Sequence, residues 1–143
     1  MSAIVRVSRI IAWAGLTGVG ALHAAWAAGS SWPAKSDKEL ARAVAGDKRM
    51  PDPEPTAGVA AAALVGGAIA GGGMGEGALP VALRRGAGLV LLARGALGGN
   101  AALALLGRPE GGKRFVELDN RYYRPLCAVL GLALLVGARN RER

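Results

Sequence analysis

Apolar and polar residues alternate in long blocks along this chain. Residues 7–28, 56–76, 86–107 and 122–138 are dominated by Ala, Gly, Val, Leu and Ile, and a polar loop of residues 29–55 separates the first two blocks. A helix needs about 20 apolar residues to cross the hydrocarbon core of a bilayer. The pattern therefore predicts an all-α fold, an integral membrane four-helix bundle that forms a single transmembrane domain over residues 1–143.

The polar segments carry signals for short helices. Ser36 and Glu39 have the spacing of a capping box, which predicts a helix over residues 37–45 that ends at Gly46. The alternating prolines of residues 50–55 predict an extended connector, because proline interrupts a helix. Residues 115–122 have apolar positions at helical spacing, which predicts a second short helix, and both short helices are expected at the membrane interface. Pro125 suits the first turn of the last helix.

Composition and charge narrow the class of partner. Hydrophobic residues make up 52% of the chain, aromatic residues only 4%, and the formal net charge is +8. The basic residues lie between the apolar blocks, which favours lipid headgroups over nucleic acid as their binding partner. We therefore do not expect a nucleic acid partner. The single cysteine, Cys127, excludes an intrachain disulfide and a multi-cysteine metal site.

Four spans would place both termini on one side of a multi-pass protein of the cell membrane. Arginines at the termini and in the second loop, which flank the first and third blocks, favour the cytoplasm for that side; they are Arg6, Arg9, Arg84, Arg85, Arg139, Arg141 and Arg143. A signal peptide remains the alternative interpretation of the first block, because it also has a basic start and an apolar centre.

The candidate chemistry concentrates near one end of this bundle. His23, Trp26 and Trp32 lie at the outer end of the first block, and Asp119 and Tyr122 lie at the outer start of the fourth, so the topology places them on the same side. Arg94 lies inside the third block, where a charge is costly and should face the bundle interior. We expect a polar pocket with Arg94 at its base and His23 on its wall; alternatively, Arg94 pairs with helix-end carbonyls or with Asn100. No metal site is expected, catalytic residues and cofactors stay unknown, and haem ligation by His23 has no support from other residues.

Three stretches resemble a known family. They are the run from His23 to Pro33, Arg94-Gly95 with Gly98-Gly99, and the run from Phe115 to Cys127. In order and spacing they resemble the small bacterial membrane proteins of the domain of unknown function 3995. The resemblance implies a four-helix membrane protein and implies no activity.

Three functions are compatible with these observations. The first is the binding of a small molecule or lipid in the pocket, with or without catalysis. The second is a structural or assembly subunit, in a homo-oligomer or a membrane complex, that acts through glycine-lined helix faces such as Gly67 and Gly71. The third is a small multidrug-type transporter, although the first block lacks the acidic residue that such carriers use.

Overall fold

The fold is built from helices of very different lengths. The structure is a computed structural model that describes residues 1–138. The helices in that range are α1 (Ala3–Ala27), α2 (Asp37–Val44), α3 (Pro53–Ala70), α4 (Ala78–Leu97), α5 (Gly99–Leu105), α6 (Lys113–Leu118) and α7 (Arg124–Gly137), and a π-helical turn, Asp119–Tyr123, joins α6 to α7. The predicted all-α fold class is confirmed for these residues. The predicted cytoplasmic arginines Arg139, Arg141 and Arg143 lie outside the described residues.

The long helices pack side by side in the order α3, α1, α7 and α4. Their shared core consists of small and aliphatic side chains, namely Ala12, Leu16, Ala70, Leu130, Ala133 and Leu134. The helices α4 and α7 approach closely at Gly88 and Gly131, where a Cβ on either glycine would lie within 3.0 Å of the other's carbonyl oxygen. Only residues without a side chain permit this approach.

Local signals in the sequence located the short helices. The Ser36 hydroxyl accepts a hydrogen bond from the Glu39 N–H at 3.2 Å and caps α2. The helix ends before Gly46, which has a φ of +68°. The third loop is helical from Lys113 onward, and Pro125 lies in the first turn of α7. These predictions are confirmed.

The extended connector predicted for residues 50–55 is wrong. The helix α3 begins at Pro53 and includes Pro55, with Asp52 as its N-cap residue. A proline is tolerated in the first helical turn because the N–H it lacks would have no partner inside the helix. The helix also ends earlier than the predicted second span of residues 56–76, since residues 71–77 form the turn to α4.

The third apolar block, residues 86–107, is not one straight helix. The helices α4 and α5 are bent by 113° at Gly98, which has a φ of +88° and a ψ of 170°. This conformation is accessible essentially to glycine alone. The helix α4 also begins before residue 86, at Ala78, so Arg84 and Arg85 belong to it and not to the preceding turn.

Two of these elements have the length and composition of a membrane span. The helix α1 meets the criteria by itself, with a mean hydropathy of 1.4, and the α4–α5 pair meets them when its two halves are taken together. A signal sequence near an N-terminus has the same properties as α1. However, only 17% of the apolar window of α1 is buried, unlike a core helix in a soluble protein.

Candidate functional site at the helix break

The break between α4 and α5 brings an arginine and a buried carboxylate together. Arg94 lies in the last turn of α4, and Asp119 begins the π-helical turn. The Arg94 Nη2 donates to Asp119 Oδ1 at 2.6 Å, and the Gly99 N–H donates to Asp119 Oδ2 at 2.6 Å. Asp119 therefore neutralises the arginine and caps the first N–H of α5 with the same carboxylate. Single π-helical turns occur frequently at functional sites.

A second arginine satisfies the carbonyl groups on the other side of the break. The Arg124 Nε donates to the Gly95 carbonyl at 2.8 Å, and its Nη2 donates to the Ala96 carbonyl at 2.7 Å. The last carbonyls of a helix have no partner within the helix. Arg124 thus completes the end of α4 and holds α7 against it. A Cβ on Gly95 would lie 2.9 Å from the Arg124 carbonyl oxygen, so this glycine permits the contact.

Arg94 keeps one buried nitrogen without a partner. None of the described residues accepts a hydrogen bond from its Nη1, which is shielded from solvent. A buried donor without an acceptor costs about 1–3 kcal/mol. The break therefore offers one unused, positively charged donor to a water molecule or another acceptor.

Asn100 stabilises a neighbouring loop and does not contact Arg94 through a hydrogen bond. Its Oδ1 accepts from the Gly111 N–H at 2.9 Å. The Phe115 ring lies against Gly99, where an added Cβ would come within 2.6 Å of two ring carbons. This packing joins α5 to the start of α6.

The histidine and two tryptophans form a separate group at the end of α1. The Nδ1 of His23 lies 2.8 Å from the Val19 carbonyl oxygen, which can only accept, so Nδ1 carries the proton and Nε2 is the acceptor of the neutral ring. The ring of His23 lies 4.8 Å from that of Trp26, centroid to centroid. Trp26 Nε1 in turn donates to the Trp32 carbonyl at 2.7 Å and holds the following loop.

Two cavities flank this group. One, of about 550 Å³, lies between the end of α1, the start of α3 and α5; its lining includes His23, Trp26, Asp52, Thr56, Leu106 and Arg108. The other, of about 710 Å³, lies between α1, α2 and the α6 region; its lining includes Trp26, Glu39, Leu40, Arg114, Leu118 and Tyr123. Both volumes fall in the range of small-molecule sites. Trp26 lines both cavities.

The structure distributes the seven predicted site residues over several places. His23, Trp26 and Trp32 lie together, Arg94 pairs with Asp119, Asn100 binds the nearby loop, and Tyr122 is exposed with the Arg121 guanidinium 5.4 Å from its ring centre. Arg94 lines neither of the two cavities beside Trp26. The structure therefore does not place Arg94 at the base of a pocket walled by His23, because Asp119 draws its guanidinium toward the π-helical turn. Whether these residues bind a ligand stays a prediction.

A charged network that the sequence patterns did not predict lies at the opposite end of the bundle. Glu76, in the turn between α3 and α4, accepts from both Nη atoms of Arg9 at 2.5 and 2.8 Å and from Arg84 Nη1 at 3.0 Å. Arg9 and Arg84 are 8% and 1% exposed. Each arginine also binds a helix end, since the two Nε atoms donate to the Gly137 and Ile69 carbonyls at 2.9 and 2.8 Å.

The network fixes the charge state of Glu76. Hydrogen bonding from Arg9 lowers the pKa of this carboxyl from 4.5 to about 2, although desolvation opposes the shift, and Arg84 adds to the lowering. The signal that could have located the network was present in the sequence. Arg9 lies inside the first apolar block and Arg84 lies beside the third, much as Arg94 lies inside the third. The expectation that such an arginine has a buried partner therefore applies to all of them.

The described residues provide few metal-binding groups. Within residues 1–138, no three side chains of His, Cys, Asp or Glu lie together in a way that could hold a metal ion. Cys127, in the first half of α7, is a half-buried free thiol. The polar groups that these residues bring together are guanidinium, carboxylate and aromatic side chains.

Comparison with known proteins gives one family. No curated protein and no solved structure matches the chain. The sequence model of the family described as "Protein of unknown function (DUF3995)" matches residues 16–134, a range that includes every element from the second half of α1 to most of α7. All three stretches that carry the resemblance lie in the matched range. The chain belongs to the DUF3995 family.

Proposed function

We propose that this chain is a four-span integral membrane protein that binds an amphipathic small molecule or lipid beside His23 and Trp26. The proposed spans are α1, α3, α4 with α5, and α7. The apolar exterior of the long helices supports the membrane location, and the cavity at His23 supports the binding function.

The surface of the long helices carries their large apolar side chains. Side chains that are more than 40% exposed occur on all four: Ile4, Val7, Ile10 and Ile11 on α1, Val59 and Val65 on α3, Leu83, Leu89 and Val90 on α4, and Leu126, Val129 and Leu132 on α7. The core between the helices uses mainly Ala, Gly and Leu. In water such a surface would promote aggregation, whereas in hydrocarbon it is fully solvated.

Three charged side chains lie in the interior, whereas the large apolar side chains lie on the exterior. Arg9, Arg84 and Asp119 are buried between helices, and each is paired with an opposite charge. Ionisable groups in membrane helices face the interior of the bundle and pair there. An apolar exterior and paired buried charges together support hydrocarbon as the solvent of these helices.

The positions of the helix ends support the proposed orientation. Arg9 near the start of α1 binds the Gly137 carbonyl at the end of α7, so both helix ends lie on the same side of the bundle. Arg6 and Arg85 lie near this end, and positive residues favour the cytoplasmic side. We therefore assign this end to the cytoplasm and the end with α2 and Trp26 to the outer face.

The cavity of about 550 Å³ suggests the chemistry of its ligand. Its wall is mostly apolar and includes the aromatic pair of His23 and Trp26 together with the polar residues Asp52, Thr56 and Arg108. Sites for small organic ligands combine apolar walls with a few placed polar groups. An amphipathic molecule with a planar polar head, such as a quinone, fits this description.

The alternative function, that of a structural or assembly subunit, has less support. The glycines expected to form an external helix face pack inside the chain, since a Cβ on Gly67 would lie 2.9 Å from the Thr17 hydroxyl and one on Gly71 would lie 3.2 Å from the Trp13 ring. A homo-oligomer would need another surface. The helix α1 contains no acidic residue, so the alternative function as a multidrug-type transporter gains no support.

Membrane fractionation tests the location. Cells that express the chain are lysed, and their membranes are washed with alkaline carbonate. We expect the chain in the pellet, and in solution only after detergent is added. Recovery in the carbonate supernatant would contradict the membrane proposal.

Quenching of tryptophan fluorescence tests the binding function. Short-chain ubiquinone is titrated into the detergent-purified protein, and we expect saturable quenching. Val59→Phe places a large ring at the cavity, whereas Leu89→Phe places the same ring on α4 outside it, and neither adds a tryptophan. We expect V59F to weaken binding by about tenfold, equivalent to about 1.4 kcal/mol, and L89F to leave it unchanged. Linear quenching without saturation, or equal effects of both variants, would refute binding in this cavity.

A further inference from the structure

The cytoplasmic end of the bundle contains a cavity that the proposed function does not use. Its volume is about 330 Å³, and it is lined by Met1, Arg6, Arg9, Ile10, Trp13 and Gly71. Four of these residues lie on one face of α1 at intervals of three or four positions. Along this face the lining changes from cationic at Arg6 and Arg9 to apolar at Ile10 and Trp13.

The network beside this cavity has a surplus of positive charge. Arg9 and Arg84 share one carboxylate, and Glu76 is the only acidic side chain that contacts either of them in residues 1–138. Arg6, on the same face, adds another positive charge. Burial of an uncompensated charge is costly, so this end of the bundle attracts an anion.

The structure also fixes the orientation of Arg9. Its Nε binds the Gly137 carbonyl, and both Nη atoms bind Glu76. These bonds use three of the five N–H groups of the guanidinium, and the other two remain on the Nη atoms. A guanidinium held in this way has little side-chain entropy left to lose on binding a phosphate.

We infer that this cavity binds the phosphate group of an anionic phospholipid from the cytoplasmic leaflet. The inference rests on the proposed membrane location. Arg6 and Arg9 supply the positive charge for the phosphate, and the apolar wall of Ile10 and Trp13 contacts the acyl chain. Basic cavities among the cytoplasmic ends of membrane helices are sites for such headgroups.

The position of the apolar wall distinguishes a lipid from free phosphate. Ile10 and Trp13 are 55% and 51% exposed on the side of α1 proposed to face hydrocarbon. An acyl chain can enter from that side, whereas inorganic phosphate would use only the arginines. The indole of Trp13 is also of the type that is enriched at membrane interfaces.

Native mass spectrometry of the detergent-purified chain tests this inference. Short-chain phosphatidylglycerol and phosphatidylcholine are titrated separately, with and without inorganic phosphate. We compare Arg6→Gln and Arg6→Lys with Arg85→Gln, which removes an exposed charge from α4 near the same end but outside the cavity. We expect preference for phosphatidylglycerol, a loss of about five- to tenfold in R6Q that R6K largely restores, and no loss in R85Q.

Three results would overturn the inference. Equal binding of the two lipids would remove the anion preference, and equal losses in R6Q and R85Q would indicate attraction by surface charge alone. Competition by inorganic phosphate would assign the site to a free anion. A chain that stays in the carbonate pellet but gives any of these results would disprove the lipid site and leave the membrane location intact.

Discussion

At the scale of single residues, buried and half-buried arginines join the ends of the helices. Arg9, Arg84 and Arg124 each bind the carbonyl groups at the end of a neighbouring helix. A helix end has carbonyls without partners, and in hydrocarbon no water can satisfy them. Arginine suits this role because one guanidinium can bind a carbonyl and a carboxylate at the same time.

Arg84 should contribute much more to stability than Arg85, its exposed neighbour in the chain. Its guanidinium is 1% exposed and binds Ile69, Gly75 and Glu76. Arg84→Gln should lower the free energy of unfolding by about 1–3 kcal/mol, because the Ile69 and Gly75 carbonyls lose their donor while Glu76 keeps its pair with Arg9. The measurement is denaturant titration in mixed micelles. Arg85→Gln is the matched control and should change stability by less than about 0.5 kcal/mol; equal effects would contradict the account.

Glu76 makes stability depend on pH in the acid range. The folded state holds its pKa at about 2, below the ordinary value of 4.5, so the unfolded chain binds this proton more readily. The contribution is fully present above pH 4.5 and is lost as the pH falls toward 2. Acid unfolding followed by circular dichroism should show a smaller loss over this range for Glu76→Gln than for the wild type. An ordinary pKa for Glu76 by carbon NMR would contradict the network.

The sequence alone predicted one of these charged contacts in part. The position of Arg94 inside an apolar block indicated that it should face the interior, but not that Asp119 is its partner. That pairing depends on the π-helical turn, which rotates the chain before α7 and has no distinct sequence pattern. The network at Glu76 joins residues that are 67 positions apart, so spacing rules could not identify it.

At the scale of helices, a glycine sets the break between α4 and α5, and a serine side chain caps the start of α2. The capping residue Ser36 and the helix-starting Pro125 were readable because their effects are local. The start of α3 was misread because the position of a proline within the first turn decides whether it is tolerated. The bend at Gly98 was missed because residues 86–107 are mostly apolar and their composition fits an unbroken helix.

Substitution of Gly98 tests whether the bend depends on backbone conformation. An added Cβ would lie 3.6 Å from Asp119 Oδ2, an ordinary contact, so the cost of Gly98→Ala comes from its positive φ. We expect a loss of about 1–3 kcal/mol in mixed-micelle unfolding. Gly86→Ala in α4 is the control, because nothing lies within 4 Å of that Cβ, and it should stabilise by about 0.5–1 kcal/mol. Equal stability of G98A and the wild type would argue against the bend.

At the scale of the whole molecule, the distribution of side-chain sizes fits the proposed hydrocarbon solvent. Large apolar groups lie on the exterior, and small residues permit contacts such as that between Gly88 and Gly131. The four apolar blocks were sufficient to predict an all-α fold and the approximate places of the long helices. The arrangement α3, α1, α7 and α4 was not predictable, because it depends on contacts between small residues that are abundant in every block.

The most direct test is to measure which solvent surrounds each long helix. Single cysteines replace Ile11, Val65, Val90 and Leu132 one at a time in a Cys127→Ala background, and each is spin-labelled in lipid vesicles. These four side chains lie on the exterior of α1, α3, α4 and α7 and are 41%, 57%, 68% and 55% exposed. We expect all four labels to be relaxed by oxygen, which dissolves in hydrocarbon, and protected from a water-soluble nickel complex. Relaxation of the labels on α3, α4 or α7 by the nickel complex would contradict the four-span bundle.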